Sequence, residues 1–496
     1  MVASESLFSY QNLYRAYLDC RKTKRNTLDA LRFELNAEGL LFDLQLALTE
    51  RAYRPSTSLC FVAQKPKLRE IFAADFADRI LHHLVVRELE RIWEPVFIHD
   101  SYASRPAKGI HAAVERVRAF TRQVTQNRTQ PAWYLQLDIR NFFMSIDKRR
   151  LFAQLRSRCD NEELLWLTSV LLFHDPTQDY HLRSPRWLLA RIPAQKSLFG
   201  AERDYGLPIG NLTSQFFANV YLNGLDQFVK HTLKCRYYAR YVDDFVLLHT
   251  DRAQLLDWQL RIERYLQSEL ELTLHPSRRK LQPVGNGIDF LGYIVRPHYV
   301  LCRRRVVNNL KTRLREFRQA LIEEQKALTI VRYTQERLEE LFACLNSYLG
   351  HFRHADTFTL KQRLFASNAW LRHFFRYRNG KLQRLYTPPT GFRNLRTQYA
   401  YFANRSAGGL LFFQVGCFYE FYQTQARKAC AVLGLKWISG KHGFRQRCGI
   451  GVKGLDRYVA QAVQSGIPVT VVNQTGLQLG HVAERRVAVK YLPNSL

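Results

Sequence analysis

Two apolar runs closing on a pair of carboxylates constrain this chain more than any other feature. In Arg236 to His249, strand-like residues flank Val242-Asp243-Asp244, which predicts a hairpin with both acids at its tip. Upstream, Trp133-Tyr134-Leu135-Gln136-Leu137-Asp138 is a second strand-like run ending on an acid, followed by Ile139-Arg140-Asn141-Phe142-Phe143. Asp is common in turns, so the hairpin acids alone read as a solvated tip. The second run changes this, because it brings a third carboxylate beside the pair. Three acids around one point repel each other unless hard divalent cations sit among them, and Mg²⁺ suits such oxygen ligands while keeping positions for phosphates. Two such ions would activate an attacking hydroxyl and stabilise a leaving group.

The 496 residues exceed one ordinary core and point to two to four domains, at roughly 100–200 residues each. No run approaches the roughly 18 uninterrupted apolar residues of a membrane span, and Met1 to Tyr10 carries no secretion signal. The expectation is a cytoplasmic protein with no membrane partner. The nine cysteines are scattered, with no CxxC pair, which argues against zinc knuckles and a disulfide framework. The 74 basic against 43 acidic side chains give +31, a field that concentrates polyanions. The charge is spread along the chain, so nucleic acid is favoured over an anionic membrane.

Residues 11 to 95 read as helices broken by the extended basic stretch Lys65-Pro66-Lys67-Leu68-Arg69. From Arg303 to Leu328, the spacing of Val306, Leu310, Leu314, Phe317 and Leu321 predicts an amphipathic helix. Seven Lys or Arg against the single acid Glu316 lie between Arg303 and Arg318. Arginines at a helix start oppose the macrodipole, so that run suits binding better than helix stability. From Arg353 to Arg384, eight basic residues interleave with aromatics such as Phe365, Trp370 and Phe375, which alone read as a helical core with solvated charges. Thr387-Pro388-Pro389-Thr390-Gly391 reads as a linker.

With these blocks in order, residues roughly 55 to 375 resemble reverse transcriptases. The resemblance rests on Lys67 to Ile71 with Asp78-Arg79, Ser101 to Gly109, Asp138 to Phe143, Gly206 to Gln215, Tyr241 to Asp244, Lys280, and Phe290-Leu291-Gly292. It implies a right-hand polymerase: α/β (α+β), with an N-terminal helical extension (1–54), fingers and palm (55–300), a helical thumb (301–385) and a linker (386–400). It also implies that Asp138, the Ile139 position, Asp243 and Asp244 hold two Mg²⁺, with Mn²⁺ as the alternative. Lys280 matches the general acid for pyrophosphate, and Phe143 the ring that excludes a ribose 2′-hydroxyl. Lys67 and Arg69 match triphosphate contacts; Arg105, Ile209, Gly210, Ser214 and Gln215 join the substrate and template set. Ile209-Gly210 and Ser214-Gln215 resemble the variant of diversity-generating retroelements, which copy template RNA with errors at adenines. Physically, Ile209 puts a branched hydrocarbon where most relatives have a polar amide, which removes hydrogen bonds that could discriminate base geometry. The implied partners are template RNA, cDNA, dNTPs and a small basic accessory protein. No Cys/His/Asn cluster of a homing endonuclease follows the thumb, which argues against a full mobile-intron protein.

Residues 401–496 carry twelve basic side chains against Glu420, Asp456 and Glu484. Leu410 to Val415 and Ile467 to Val472 read as strands, Phe418 to Leu433 and Leu455 to Ser465 as helices, making a small mixed α/β domain. Alone, Gly416 to Tyr422 would be core aromatics. The tail resembles the N-terminal mismatch-recognition domain of MutS proteins through Gly416 to Glu420, Leu433-Gly434-Leu435, Gly449-Ile450, Val469 to Gln474 and Glu484 to Val487. That resemblance implies Phe418 as a wedge on a mispaired base and Glu420 as its hydrogen-bonding companion. Cys417 departs from the usual Asp. No GxxxxGK[ST] occurs, so the MutS ATPase is absent. Two other readings stand: a phage-defence or other orphan bacterial reverse transcriptase, and a non-catalytic nucleic-acid-binding scaffold.

Overall fold

The computed structural model describes residues 6–22, 24–64, 67–389, 391–406, 408–479 and 481–494. Lys65 and Pro66 of the basic stretch, Thr390 of the expected linker and the start of the chain before Ser6 lie outside the described residues. The chain divides into two compact units, residues 1–300 and 301–496. Helices and sheets are both present throughout, so the fold is mixed α/β.

The first unit is organised by a four-stranded antiparallel sheet, in the order Tyr237–Tyr241, Asp244–His249, Trp133–Asp138, Lys280–Pro283. Alternation assigns its faces. Leu135 and Leu137 lie opposite Leu247 and Phe245, and all four point into the main core, where Phe216, Val220, Ile262 and Leu266 of helices Leu212–Gln227 and Arg252–Leu270 meet them. Along the sheet, helix Ile110–Val124 buries Ala113, Val117 and Phe120, with the Phe120 ring 5.5 Å from that of Tyr237. Leu13, Tyr17, Phe33 and Leu41 of helices Tyr10–Arg21, Leu28–Glu34 and Ala37–Thr49 belong to the same core, so the expected extension 1–54 has no core of its own.

A hairpin of Ser58–Ala63 and Arg69–Ala73 projects beside this core, with Ser58–Ala63 paired in parallel to Tyr180–Leu182. Near its turn it is clamped by Glu70, paired with Val62, a buried carboxylate that accepts hydrogen bonds from Ser197 Oγ (2.7 Å) and from the Leu198 amide.

In the second unit, helix Arg304–Leu321 buries Leu310, Leu314, Phe317 and Leu321, as the spacing predicts, and its first turn carries no acid. The segment expected to be all helical is not. Ile322–Glu324 pairs with Leu328–Arg332, and Phe375–Arg378 pairs with Lys381–Arg384 across Asn379 and Gly380, both at positive φ (51° and 73°). An Asn-Gly pair favours such a two-residue turn and overrides the helical pattern of the aromatics.

The tail departs from expectation similarly. Phe418–Tyr422 is a strand, and only Thr424–Leu433 is helical. Tyr419 and Phe421 face one core while Tyr422 faces another, a period-two division that a helix would not preserve. Leu455–Gln464 is the expected helix, and the strand expected at 467–472 runs Val469–Leu479. These strands belong to an eight-stranded sheet that begins with the 322–332 hairpin, because Leu328–Arg332 pairs with Val482–Pro493. The expected thumb and tail therefore share one sheet, and helix Leu395–Ala403, opened by an Asn394/Thr397 capping box, takes up the end of the expected linker.

Candidate active site

The hairpin Tyr237–Tyr241/Asp244–His249 turns through two residues, Val242 and Asp243, with Val242 at φ 55°. Positive φ is costly for a β-branched residue and requires external support. Arg240 supplies it. This arginine is 0% exposed; its Nη1 donates to the Val242 carbonyl (3.1 Å) and its Nε and Nη2 form a two-pronged pair with Asp226 (2.8 and 2.6 Å). Tyr238 OH donates to the same carboxylate (2.7 Å), and Arg240 also donates to Asn219 Oδ1 and Ser101 Oγ. Every donor direction of the guanidinium is used, which makes a buried charge tolerable.

This anchoring brings Asp138 directly opposite Asp244 across the sheet, while the Ile139 amide donates to the Asp243 carbonyl (3.2 Å). Asp138 and Asp243 line one cavity of about 270 Å³. Burial, and then the Asp138 charge, pushes the Asp243 carboxyl up to about 6. Asp244 also accepts from Gln136 Nε2 (3.0 Å). Arg278 Nη1 pairs with Asp138 at 2.8 Å. Among the described residues, no three His, Cys, Asp or Glu side chains gather closely enough to form a ready-made metal cluster. The donor set nevertheless fits a hard cation, because burial and the Asp138 charge raise the Asp243 carboxyl and both side chains offer only oxygen ligands.

The other charged side chains lining the cavity are cationic: Lys67, Arg69, Arg191, Lys196 and Arg278 stand with the two acids. Burial, followed by the charges of Arg278 and Arg69, holds the Lys67 ammonium below its ordinary range. Such a ring of donors suits a polyphosphate. Phe143 and Ile209 form part of the wall, each half-buried; the Phe143 carbonyl accepts from the Leu207 amide and the Ile209 carbonyl from the Phe72 amide. Gly210, at φ 136°, sits so close to Phe72 that a Cβ would lie 2.4 Å from its carbonyl oxygen. The glycine thus lets the Ile209 segment lie against the projecting hairpin.

Other expected members are placed elsewhere. Lys280 is exposed on the strand beside Gln136 and does not line the cavity. Arg105 is not offered to a substrate: its guanidinium holds Glu94 (2.7 Å) and the carbonyls of Ile98 and Ser101, bracing a loop. Ser214 is buried, and Gln215 accepts from Ser104 Oγ (2.7 Å). The sequence reading missed Arg278, Arg191 and Lys196; the Arg278-Arg279-Lys280 run was the available signal for the first. It also missed the Arg240–Asp226 pair, which no local pattern announces.

In the tail, Phe418 stands 55% exposed beside the Gly416-Cys417 turn. Glu420, on the same face two residues on, is 6% exposed and already engaged, by Arg447 (2.6 Å) and by the Tyr422 hydroxyl. Its carboxylate is thus committed within the protein, unlike the expected base contact.

This arrangement of carboxylates on a hairpin, facing a cationic cavity under a projecting finger, is that of a nucleic-acid polymerase. Residues 63–295 match the family model for reverse transcriptase (RNA-dependent DNA polymerase), and residues 393–494 match MutS domain I. The chain is 25% identical over 281 residues to protein YkfC of Escherichia coli (strain K12), spanning 49% of this chain and 68% of that one. It is also 25% identical over 224 residues to the group II intron-encoded protein LtrA of Lactococcus lactis subsp. cremoris, 45% of this chain but 33% of LtrA. A telomerase from Candida albicans, solved with a fragment of telomeric RNA, is similar at a TM-score of 0.36 and 12% identity, over 60% of this chain and 54% of that one. The chain carries a reverse transcriptase domain, that of an RNA-directed DNA polymerase, followed by a MutS domain I-like segment.

Asp226→Ala, which leaves Arg240 buried and unpaired, is expected to cost about 3–5 kcal/mol in urea denaturation. The double variant Asp226→Leu/Arg240→Met should recover much of that stability yet keep polymerase activity low, because the Val242 turn stays unanchored.

Proposed function

We propose that this chain copies an RNA template into DNA with frequent errors at adenines, as part of a diversity-generating retroelement, and that its tail grips the resulting imperfect duplex. The observation that carries the reading is the cavity in which Asp138 and Asp243 face Lys67, Arg69, Phe143 and Ile209. Mg²⁺, or Mn²⁺ in its place, bound as a pair, would supply activation of the primer hydroxyl and charge stabilisation of the leaving pyrophosphate. Asp138 and Asp243 would hold it, assisted by the Ile139 carbonyl, with Asp244 supporting from the neighbouring strand. Lys67 and Arg69 orient the triphosphate, Arg278 exchanges Asp138 for a phosphate oxygen, and Phe143 excludes a 2′-hydroxyl.

Ile209 supports low fidelity because it presents hydrocarbon where a hydrogen-bonding side chain would check the nascent pair. Template RNA, cDNA and dNTPs are the ligands in this reading, and a small basic accessory protein is a further partner. Phe418 supports duplex engagement: an exposed ring at a turn is a wedge whose unstacking cost of a few kcal/mol is least at a faulty pair. Glu420 acts behind it, fixing Arg447 and the strand.

Primer extension on RNA with Mg²⁺ should be abolished by Asp243→Ala while thermal unfolding stays cooperative; retained extension would exclude the assignment. Sequencing of cDNA should show errors concentrated at template adenines that fall with Ile209→Gln. Errors spread evenly over the four bases would instead favour an orphan or phage-defence enzyme. Phe418→Ala should reduce binding to mismatched duplex more than to matched duplex, and equal affinity of both proteins for both duplexes would remove the tail from this scheme.

A further inference from the structure

A second cavity, of about 280 Å³, lies within the 301–496 unit, between the Phe375–Arg378 hairpin, helix Leu395–Ala403 and the large sheet. Five of its lining side chains, Arg372, His373, Arg376, Arg405 and Lys490, are basic, and none is acidic. Arg372, Arg376 and Arg405 are exposed at its rim, and His373 and Lys490 are half-buried. Lys490 emerges from the sheet opposite Thr470 and is half-buried, and burial alone pulls its ammonium below the ordinary range, with no carboxylate to offset it. Its Nζ instead lies 5.7 Å from the centroid of the Tyr333 ring. The Arg376 and Lys490 side chains have no hydrogen-bond or ion-pair partner among the described residues. Arg372 and Arg405 spend one donor each on the carbonyls of Ala369 and Tyr401, and the Arg405 guanidinium is stacked 3.9 Å from the Tyr401 ring.

A half-buried ammonium without counter-charge is unfavourable, and three arginines converging on the same cavity add to that repulsion unless an anion completes the set. Guanidinium forks and an ammonium beside tyrosine rings are the donor chemistry of phosphate recognition. The volume sits at the lower end for small-molecule sites, ~300 Å³, which accommodates a phosphate or a single nucleotide but no duplex. We propose that this cavity is a phosphate-binding site, separate from the polymerase cavity, in which Lys490 and Arg372, Arg376 and Arg405 hold one phosphate group, free or carried by a nucleic-acid strand.

The test uses the full chain at fixed ionic strength, mapping acylation of lysines by mass spectrometry with and without inorganic phosphate. The arms then compare single-stranded oligonucleotides with a 5′-phosphate and with a 5′-hydroxyl. Phosphate should slow acylation of Lys490 several-fold while leaving exposed Lys436 unchanged, and should raise the unfolding temperature of the wild type but not of Lys490→Met. Without phosphate, Lys490→Met should be the more stable protein, since a half-buried ammonium with no counter-charge is gone. Protection by both oligonucleotides alike assigns the site to a backbone phosphodiester, protection by the 5′-phosphorylated one alone to a strand end, and protection by inorganic phosphate alone to a free anion. No protection of Lys490 by any probe, equal protection of Lys490 and Lys436, or an undiminished phosphate shift in Lys490→Met would overturn the proposal.

Discussion

The two-pronged pair between Arg240 and Asp226 is the interaction on which the polymerase half depends. Helix Leu212–Gln227 supplies the carboxylate, the hairpin strand supplies the guanidinium, and the last donor reaches the Val242 carbonyl at the turn. A positive φ at valine is thereby over-determined, and the turn that carries Asp243 is held to a helix packed in the main core. The Arg240 amide and carbonyl are used as well, bonding Asp100 and Tyr102, so the Ser101–Gly109 block is tied to the same residue. Arg105 then braces that block internally, which explains a sequence motif without invoking substrate.

Electrostatics divide the labour around this frame. The acids line the cavity from the central sheet and its turn, and the cations come from elements far apart in sequence: the 58–73 hairpin, the 191–196 segment and the loop after helix Arg252–Leu270. Asp138 is paired with Arg278, Asp243 is raised by burial and by Asp138, and the lining carries more cations than acids. An anionic ligand would therefore add to the stability of this site.

Legibility from sequence followed locality. The strand run to Asp138, the hairpin tip at Asp243 and the amphipathic helix with Leu310 and Leu314 carry their own periodicity, and Phe143 and Ile209 reach the cavity as their blocks imply. Where one local signal competed with another, the reading failed: Asn379-Gly380 outweighed a helical spacing, and alternation outweighed helix length at Phe418–Tyr422. Pairings between distant residues left no trace at all. Arg278 on Asp138, Arg447 on Glu420 and the strand match of Thr329 with Leu492 are properties of the fold, which no window of sequence contains.

That last pairing sets an order of events during synthesis. The 322–332 hairpin presents one edge to a strand that begins 150 residues later, at Val482. At ~5–20 residues per second, the nascent chain carries that open edge for roughly 8 to 30 s before its partner emerges. Glu323, Glu324, Arg318 and Arg332, which ion-pair around the hairpin, give it charge during the wait, the usual guard against intermolecular strand pairing. The 301–496 unit thus closes only when Val482–Pro493 arrives, so a ribosome that stalls within the tail releases a chain whose eight-stranded sheet is still open.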